Sequence, residues 1–262
     1  MPLPWLNPEK KTLNRNFEPV HLASLLEECG VDGTVIVQAA HDEVETDWLL
    51  ELSRDYPFIK GVVGWVDLTA PDLSDRLDRF KSKGPFCGTR YPLLNETGLD
   101  QAAVRGLTAF AEKDLACDLL VRFDQLQPFT ELFRAREDLP LVINHLAIPP
   151  LKTGELENWQ AAITGAARYP NVFCKVSGMV TLVNPAMNFE EQVRPYFEKV
   201  LELFGPDRLL WGSDWPVSLQ GASYRQVHDL LAALVSRLSP GEQAAIWGGT
   251  AARVYKIAGA NS

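Results

Sequence analysis

The chain has 262 residues, 46% of them apolar, so it can bury a large core, and its length suits one α/β barrel of roughly 250 residues. A formal net charge of −9 disfavours nucleic acid and anionic membranes as partners. No run approaches the ~18 consecutive apolar residues of a membrane span, and Met-Pro-Leu-Pro-Trp-Leu at the start has no basic segment ahead of an apolar stretch.

A cytoplasmic protein without a signal peptide is therefore expected. Cys29, Cys87, Cys117 and Cys174 form no C-x-x-C pair, which argues for buried free thiols over a disulfide framework or a thiolate zinc site.

In chain order, a helix is expected from Pro19 to Cys29, stopped by Gly30, and then a buried strand from Gly33 to Ala40 broken only by Gln38. Glu45 to Tyr56 reads as a helix with Trp48, Leu49 and Leu52 on one face, and Ile59 to Val66 as the next strand. The alternation continues with a helix over Leu73 to Lys83, a strand over Phe86 to Tyr91, a helix over Leu99 to Glu112 and a strand over Cys117 to Arg122. Helix Phe129 to Ala135 precedes strand Leu141 to Leu146, helix Trp159 to Tyr169 precedes strand Val172 to Ser177, and helix Val193 to Phe204 precedes strand Arg208 to Ser213. A last helix, Glu242 to Ile257, is placed in the outer layer. Seven apolar strands separated by helices predict a parallel sheet, and this many units favour a barrel over an open doubly wound sheet. No glycine fingerprint for a dinucleotide follows the first strand, and there is no phosphate-binding P-loop.

Polar residues that end apolar strands are the candidate site, because the C-terminal rim of a parallel barrel is where chemistry is built. In Trp211-Gly-Ser-Asp-Trp-Pro-Val217, Pro216 cannot donate a ladder hydrogen bond, so the strand should stop with the Asp214 carboxylate at the rim; bracing a turn is the plain alternative. His145 ends Leu141-Val-Ile-Asn-His145, and strict alternation puts it on the face of Leu141 and Ile143. Lys175 lies inside Phe173-Cys-Lys-Val-Ser177, either paired with a carboxylate across the barrel, polarising a carbonyl oxygen, or snorkelling from an edge. Arg90 and Tyr91 end another strand, where the guanidinium can hold a carboxylate or an oxyanion or simply form a salt bridge. Gln38 and His41 follow the first strand, Gln38 placed to donate to a substrate oxygen and His41 either a substrate contact or simply exposed on its strand-to-helix loop; Trp65 can line a pocket, and Asp67 suits a helix cap.

Taken together, Gly61-Val-Val-Gly-Trp-Val-Asp-Leu68, Gly88-Thr-Arg90, Asn144-His-Leu146, Pro170-Asn-Val-Phe-Cys-Lys-Val-Ser-Gly178 and Phe204-Gly-Pro-Asp-Arg-Leu-Leu-Trp-Gly-Ser-Asp-Trp-Pro-Val217 resemble the amidohydrolase superfamily. Within it, they look most like the branch of sugar lactonases and dicarboxylate lactonases. The likeness runs from about Pro4 to Tyr255 and implies a single domain, a distorted TIM-like (β/α)₈ barrel that opens lactones with water activated by the last-strand aspartate, here Asp214. It implies a small-molecule substrate and leaves self-association open.

Four departures qualify what the resemblance implies. Members usually begin with a strand carrying a His-x-His pair, and none precedes Pro4-Trp5-Leu6, so the first strand is expected to be missing from this chain. Asn144-His-Leu-Ala-Ile-Pro149 stands where Asp-His-Leu-Gly-Lys-Pro is common, and Tyr91 where a histidine often follows the arginine. His41 is not a usual family position. Only His145 and Asp214 then remain as ligands for zinc or manganese, one short of the usual three, so either no cofactor or one divalent metal is expected. Without metal, Asp214 is the general base, and Arg90 or Lys175 with His145 stabilises the oxyanion and protonates the leaving alkoxide. A decarboxylase of the same superfamily is the alternative enzyme, and a catalytically silent barrel that binds a small metabolite is the alternative of another class.

Overall fold

The computed structural model describes residues 3, 5, 6, 9, 11–94 and 101–257. Helix α1 (Pro19–Cys29) opens the fold, with proline in its first turn and Gly30 at φ 67° closing it, a left-handed conformation that glycine adopts without strain. Then follow β1 (Thr34–Val37), α2 (Glu43–Asp55), β2 (Ile59–Gly64), α3 (Leu73–Lys83), β3 (Phe86–Pro92), α4 (Gln101–Glu112), β4 (Ala116–Leu120) and α5 (Thr130–Ala135). The second half contains β5 (Leu141–Ile143), α6 (Glu157–Ala167), β6 (Val172–Val176), α7 (Phe189–Phe204), β7 (Leu209–Trp211), α8 (Tyr224–Val235), α9 (Pro240–Ala244), a π-helical turn Ala245–Gly249 and α10 (Thr250–Val254). The expected start of the fourth helix at Leu99 lies outside the described residues.

All seven strands run parallel in chain order, β1 to β7. Their side chains divide by alternation. Leu141, Ile143, Cys174 and Leu209 join the helices in the main core, whereas Val35, Val37, Val63, Cys87, Ala116, Val142, Phe173 and Leu210 form a second, inner cluster that draws on every strand. A flat sheet could not bring β1 and β7 residues into one such cluster. The sheet is therefore curled around it, in keeping with a distorted barrel.

Among the described residues, β1 and β7 are not hydrogen-bonded to each other and form the two edges of the sheet. Helix α1 borders the cavity at this seam with Pro19, Leu22 and Cys29, and is tied to α8 by the Arg225 guanidinium donating to the Glu28 carbonyl at 2.6 Å. Beneath α1 only Leu26 of the helix is fully buried. A cavity of about 1820 Å³ runs from the C-terminal rim into the seam, lined there by Leu22, Val35, Val37, Leu210 and Trp211.

The end of the chain departs from the expected outer helix. Tyr255 and Ile257, just after α10, turn inward and pack in the inner cluster with Val35, Val37 and Leu210. Cys87, Cys117 and Cys174 are buried free thiols, as expected, and Cys29 is half-buried.

Candidate active site at the strand ends

The register places Arg90 of β3 beside Asp118 of β4, with Asp118 in turn opposite Val142 of β5, and sets Lys175 of β6 opposite Leu210 of β7. Because alternate residues of a strand share a face, Arg90, Asp118 and Lys175 all point into the barrel. Asp118 is fully buried and its carboxylate is used on both oxygens. Oδ2 accepts from the Lys175 ammonium at 2.5 Å and from the Asn144 amide at 2.9 Å, and Oδ1 accepts from the Tyr255 hydroxyl at 2.8 Å. Of the alternatives open for Lys175, pairing across the barrel is the one observed, and the lysine is buried rather than snorkelling.

His145 reaches the rim by another route than alternation. Leu141 and Ile143 face the helices, so a continued strand would carry His145 away from the barrel interior. The strand instead stops at Ile143, and His145, Leu146, Ala147 and Ile148 take positive φ of 52°, 52°, 57° and 53°. Four consecutive non-glycine residues in this sparsely populated region mark a turn held by its surroundings, as strained backbone at functional sites commonly is. The Trp159 indole N–H, donating to the Leu146 carbonyl at 2.8 Å, is one of those restraints. Gly178 is another, since a Cβ there would lie 2.7 Å from His145 Nδ1.

The imidazole is thus set with Nδ1 2.8 Å from Ser177 Oγ and Nε2 3.8 Å from Asp214 Oδ1. Burial pushes it below the usual histidine range; the Asp214 carboxylate opposes this, while Arg90 and Lys175 reinforce it. Asp214 follows β7 after Gly212 and Ser213, with φ of 54° and its side chain 16% exposed.

Arg90 closes the other side. Its Nη2 donates to the Gln38 carbonyl, and the Gln38 amide donates back to the Arg90 carbonyl at 3.2 Å, so the two residues brace β1 against β3. Arg90 Nε is buried and has no hydrogen-bond partner among the described residues. Burial pulls the guanidinium below its ordinary range, against the carboxylates of Asp118, Asp214 and Glu45. An unmet, buried N–H of a cationic side chain is costly unless a ligand accepts from it.

Glu45 shapes the loop after β1 by accepting from the Ala39 and Ala40 amides at 2.8 and 2.7 Å. Burial raises its carboxyl above the ordinary value, and the two amides and Arg90 counter only part of the effect. The folded state therefore keeps the proton over a window in which the unfolded chain has already lost it, so this group's contribution is present at low pH and is lost as pH rises through the raised value. Relative to Glu45→Gln, the native protein is expected to lose thermal stability as pH rises from about 4.3 upward, the ordinary glutamate value. Paired melting curves between pH 4 and 7 check this, and a relative gain with rising pH would contradict it.

The cavity brings together Gln38, Arg90, His145, Lys175 and Asp214 from the sequence-based candidates. His41, Trp65 and Tyr91 are not part of its lining. Trp65 instead exchanges backbone hydrogen bonds with Thr46 Oγ, both at 2.8 Å. His41 is exposed on the loop before α2, its imidazole lowered by desolvation and then by Arg90, and Tyr91 is half-buried in β3. Asp67 braces its own turn by accepting from the Thr69 amide and hydroxyl, while Asp72 occupies the cap position of α3. Sequence reasoning passed over Asp118, Asn144, Ser177 and Tyr255. Asp118 carried a readable signal, a carboxylate inside the apolar run Leu115 to Val121, of the kind that singled out Lys175.

A metal finds two donors here, His145 Nε2 and Asp214. The other carboxylates nearby are committed, Asp118 to Lys175, Asn144 and Tyr255, and Glu45 to two backbone amides. Among the described residues no group of three or more histidine, cysteine or acidic side chains is placed to hold an ion, whereas a zinc site takes three or four protein ligands. The described residues alone do not fit one.

A parallel barrel with an acid, an imidazole and a guanidinium converging at its C-terminal rim defines a class of hydrolytic enzyme, and the chain belongs to the amidohydrolase family, whose model matches residues 6–257. It is similar to the L-fucono-1,5-lactonase of Burkholderia multivorans, 35% identical over 97% of this chain and 90% of the relative. The L-fucono-1,5-lactonase of Burkholderia ambifaria is 33% identical over the same shares. A crystal structure of an amidohydrolase from Burkholderia multivorans with bound zinc superposes with a TM-score of 0.92 at 34% identity, over 97% of this chain and 94% of that one.

Proposed function

We propose that the chain is a hydrolase that opens small sugar-acid lactones, with Asp214, Arg90, His145 and Lys175 as its working groups and one barrel domain spanning the sequence. The observation that carries this is the convergence on one cavity of a carboxylate, an imidazole held below its usual range and a half-buried guanidinium whose buried Nε–H is unmet. The lactone carbonyl oxygen accepts from Arg90 Nε, which polarises the carbon. Asp214 takes a proton from water as its oxygen bonds to that carbon, giving a tetrahedral oxyanion held by Arg90 and by the N–H groups of Lys175 that Asp118 leaves free. Collapse breaks the ring C–O bond, and the ring oxygen takes up the proton held by Asp214, relayed through His145 Nε2. The product is the open hydroxy acid, and enzyme charge is unchanged.

The charge balance favours a hydroxylated lactone over a dicarboxylated one. Asp118, Asp214 and Glu45 act on Arg90 together, and Lys175 is already paired with Asp118, so an added pair of carboxylates would meet net repulsion. The relatives named as fuconolactonases support the same substrate class. A pH-indicator assay against sugar-acid and aromatic-pathway lactones, with and without zinc or manganese, tests the proposal. Proton release with sugar-acid lactones is expected, and no turnover of any lactone under any metal condition would sink it. Dependence on added metal would place its third ligand beyond the described residues.

We also propose that the seam between β1 and β7 is the place of one further parallel strand, which completes the distorted eight-stranded barrel. A small-molecule pocket commonly occupies about 300–1,000 Å³, well below the 1820 Å³ of the cavity, and the excess lies between apolar strand edges. Burying each inward aliphatic side chain contributes roughly 1.5–3 kcal/mol before ordering costs. A chain extended upstream by such a strand should melt at least several degrees higher, at about 2–4 °C per kcal/mol for a large domain. An unchanged melting temperature would remove the seam as a strand site. The buried free thiols of Cys87, Cys117 and Cys174 support a reducing, cytoplasmic setting.

A further inference from the structure

The C-terminal segment contributes a residue to the interior of the barrel that the proposed chemistry does not yet use. Tyr255 follows α10, is 3% exposed, and its hydroxyl donates to Asp118 Oδ1 at 2.8 Å across 137 residues of sequence. Its ring also lies under the Lys175 ammonium, with Nζ 5.6 Å from the centroid, within the range of a cation–π contact. Tyr255 therefore meets Lys175 twice, directly through its ring and indirectly through the carboxylate that holds the ammonium.

This matters because Asp118 stands between two parts of the site. One oxygen anchors Lys175 and also Asn144, the residue immediately before His145, where the chain leaves β5 for its left-handed turn. A carboxylate bonded on one oxygen can still rotate about its terminal torsion, whose well is broad. Bonding the second oxygen to a phenol carried by a different element fixes that rotation. Burial and the Asp118 charge hold the phenol well above its ordinary value, so it stays a donor throughout the working range.

We infer that Tyr255 is a positioning residue for lactone hydrolysis, locking Asp118 so that the Lys175 ammonium is held at the reacting carbonyl. The inference rests on the lactonase reading. Its role is in kcat, because a displaced ammonium binds the ground state nearly as well but meets the developing oxyanion poorly. Tyr255→Phe keeps the ring against Lys175 and removes only the hydroxyl; Tyr255→Leu removes both contacts.

A double-mutant cycle with Lys175→Met, followed by kcat and KM on the best sugar-acid lactone, tests this. Tyr255→Phe is expected to lower kcat roughly ten-fold with KM within about two-fold, and Tyr255→Leu to lower it further. With Lys175 already replaced, Tyr255→Phe should change kcat by less than about two-fold, because the group it positions is gone. Melting temperatures of each variant separate this from loss of fold. Losses that multiply, a full kcat in Tyr255→Phe, or an effect on KM alone would overturn the inference while leaving the lactonase reading intact. Absence of turnover in the native protein would overturn both.

Discussion

Asp214→Asn is expected to abolish most lactone hydrolysis, lowering kcat by roughly 10²–10⁴-fold, the usual contribution of a positioned general base. The substitution is nearly isosteric and removes only the capacity to take a proton. It is also compatible with the backbone: Asp214 sits at φ 54°, a left-handed conformation that asparagine and aspartate tolerate better than other side chains. Asp214→Ala would mix the loss of the base with backbone strain of roughly 1–2 kcal/mol, so it is the weaker test. Because Asp214 is not assigned a ground-state contact with the lactone, KM should change little. Full kcat in an Asp214→Asn protein that melts like the native one would take Asp214 out of the mechanism.

The strand and helix order was legible because parallel strands buried on both faces read as apolar runs, and the helices between them carry an apolar stripe. Leu73–Lys83 is found at the bounds expected for it, and Phe86–Pro92 runs one residue beyond its expected end. Two features were less readable. Helix α8 is absent from the expected order, although Ser223 and Gln226 form a capping box and Val227, Leu230, Leu231, Leu234 and Val235 follow at helical spacing. Strand β5 ends three residues short of its expected end, because Asn144-His-Leu looks like its continuation, and the tertiary setting of Trp159 and Gly178 accompanies the left-handed turn there.

The candidate site was legible where a polar residue interrupts or ends an apolar strand. That signal located Asp214, Lys175, Arg90 and Gln38, which line one cavity. His145 lines the same cavity, but not by the alternation expected for it, since Leu141 and Ile143 point toward the helices. Tyr255 had no such signal. Its partner lies 137 residues away, and an aromatic near the end of a helix-like segment reads as packing. The edges at β1 and β7 carry no local signal, because an unpaired edge strand and a paired one share the same apolar alternation.

The second large effect is expected from Arg90→Met, which removes the unmet N–H assigned to the lactone oxyanion. Loss of one preorganised donor to an oxyanion typically costs about 10²–10³ in kcat. Arg90 also braces β1 against β3 through Gln38, so some loss of stability should accompany the change, and the melting temperature must be measured beside the kinetics. Arg90→Lys separates the two roles. A lysine keeps the positive charge among Asp118, Asp214 and Glu45, but a single ammonium cannot reproduce a fork that holds the Gln38 carbonyl with Nη2 while presenting Nε to another acceptor. The lysine variant should therefore recover most of the stability and only a minor part of kcat. If Arg90→Met folds and keeps kcat within about three-fold, the oxyanion is held elsewhere, and Lys175 becomes the group to which the role passes.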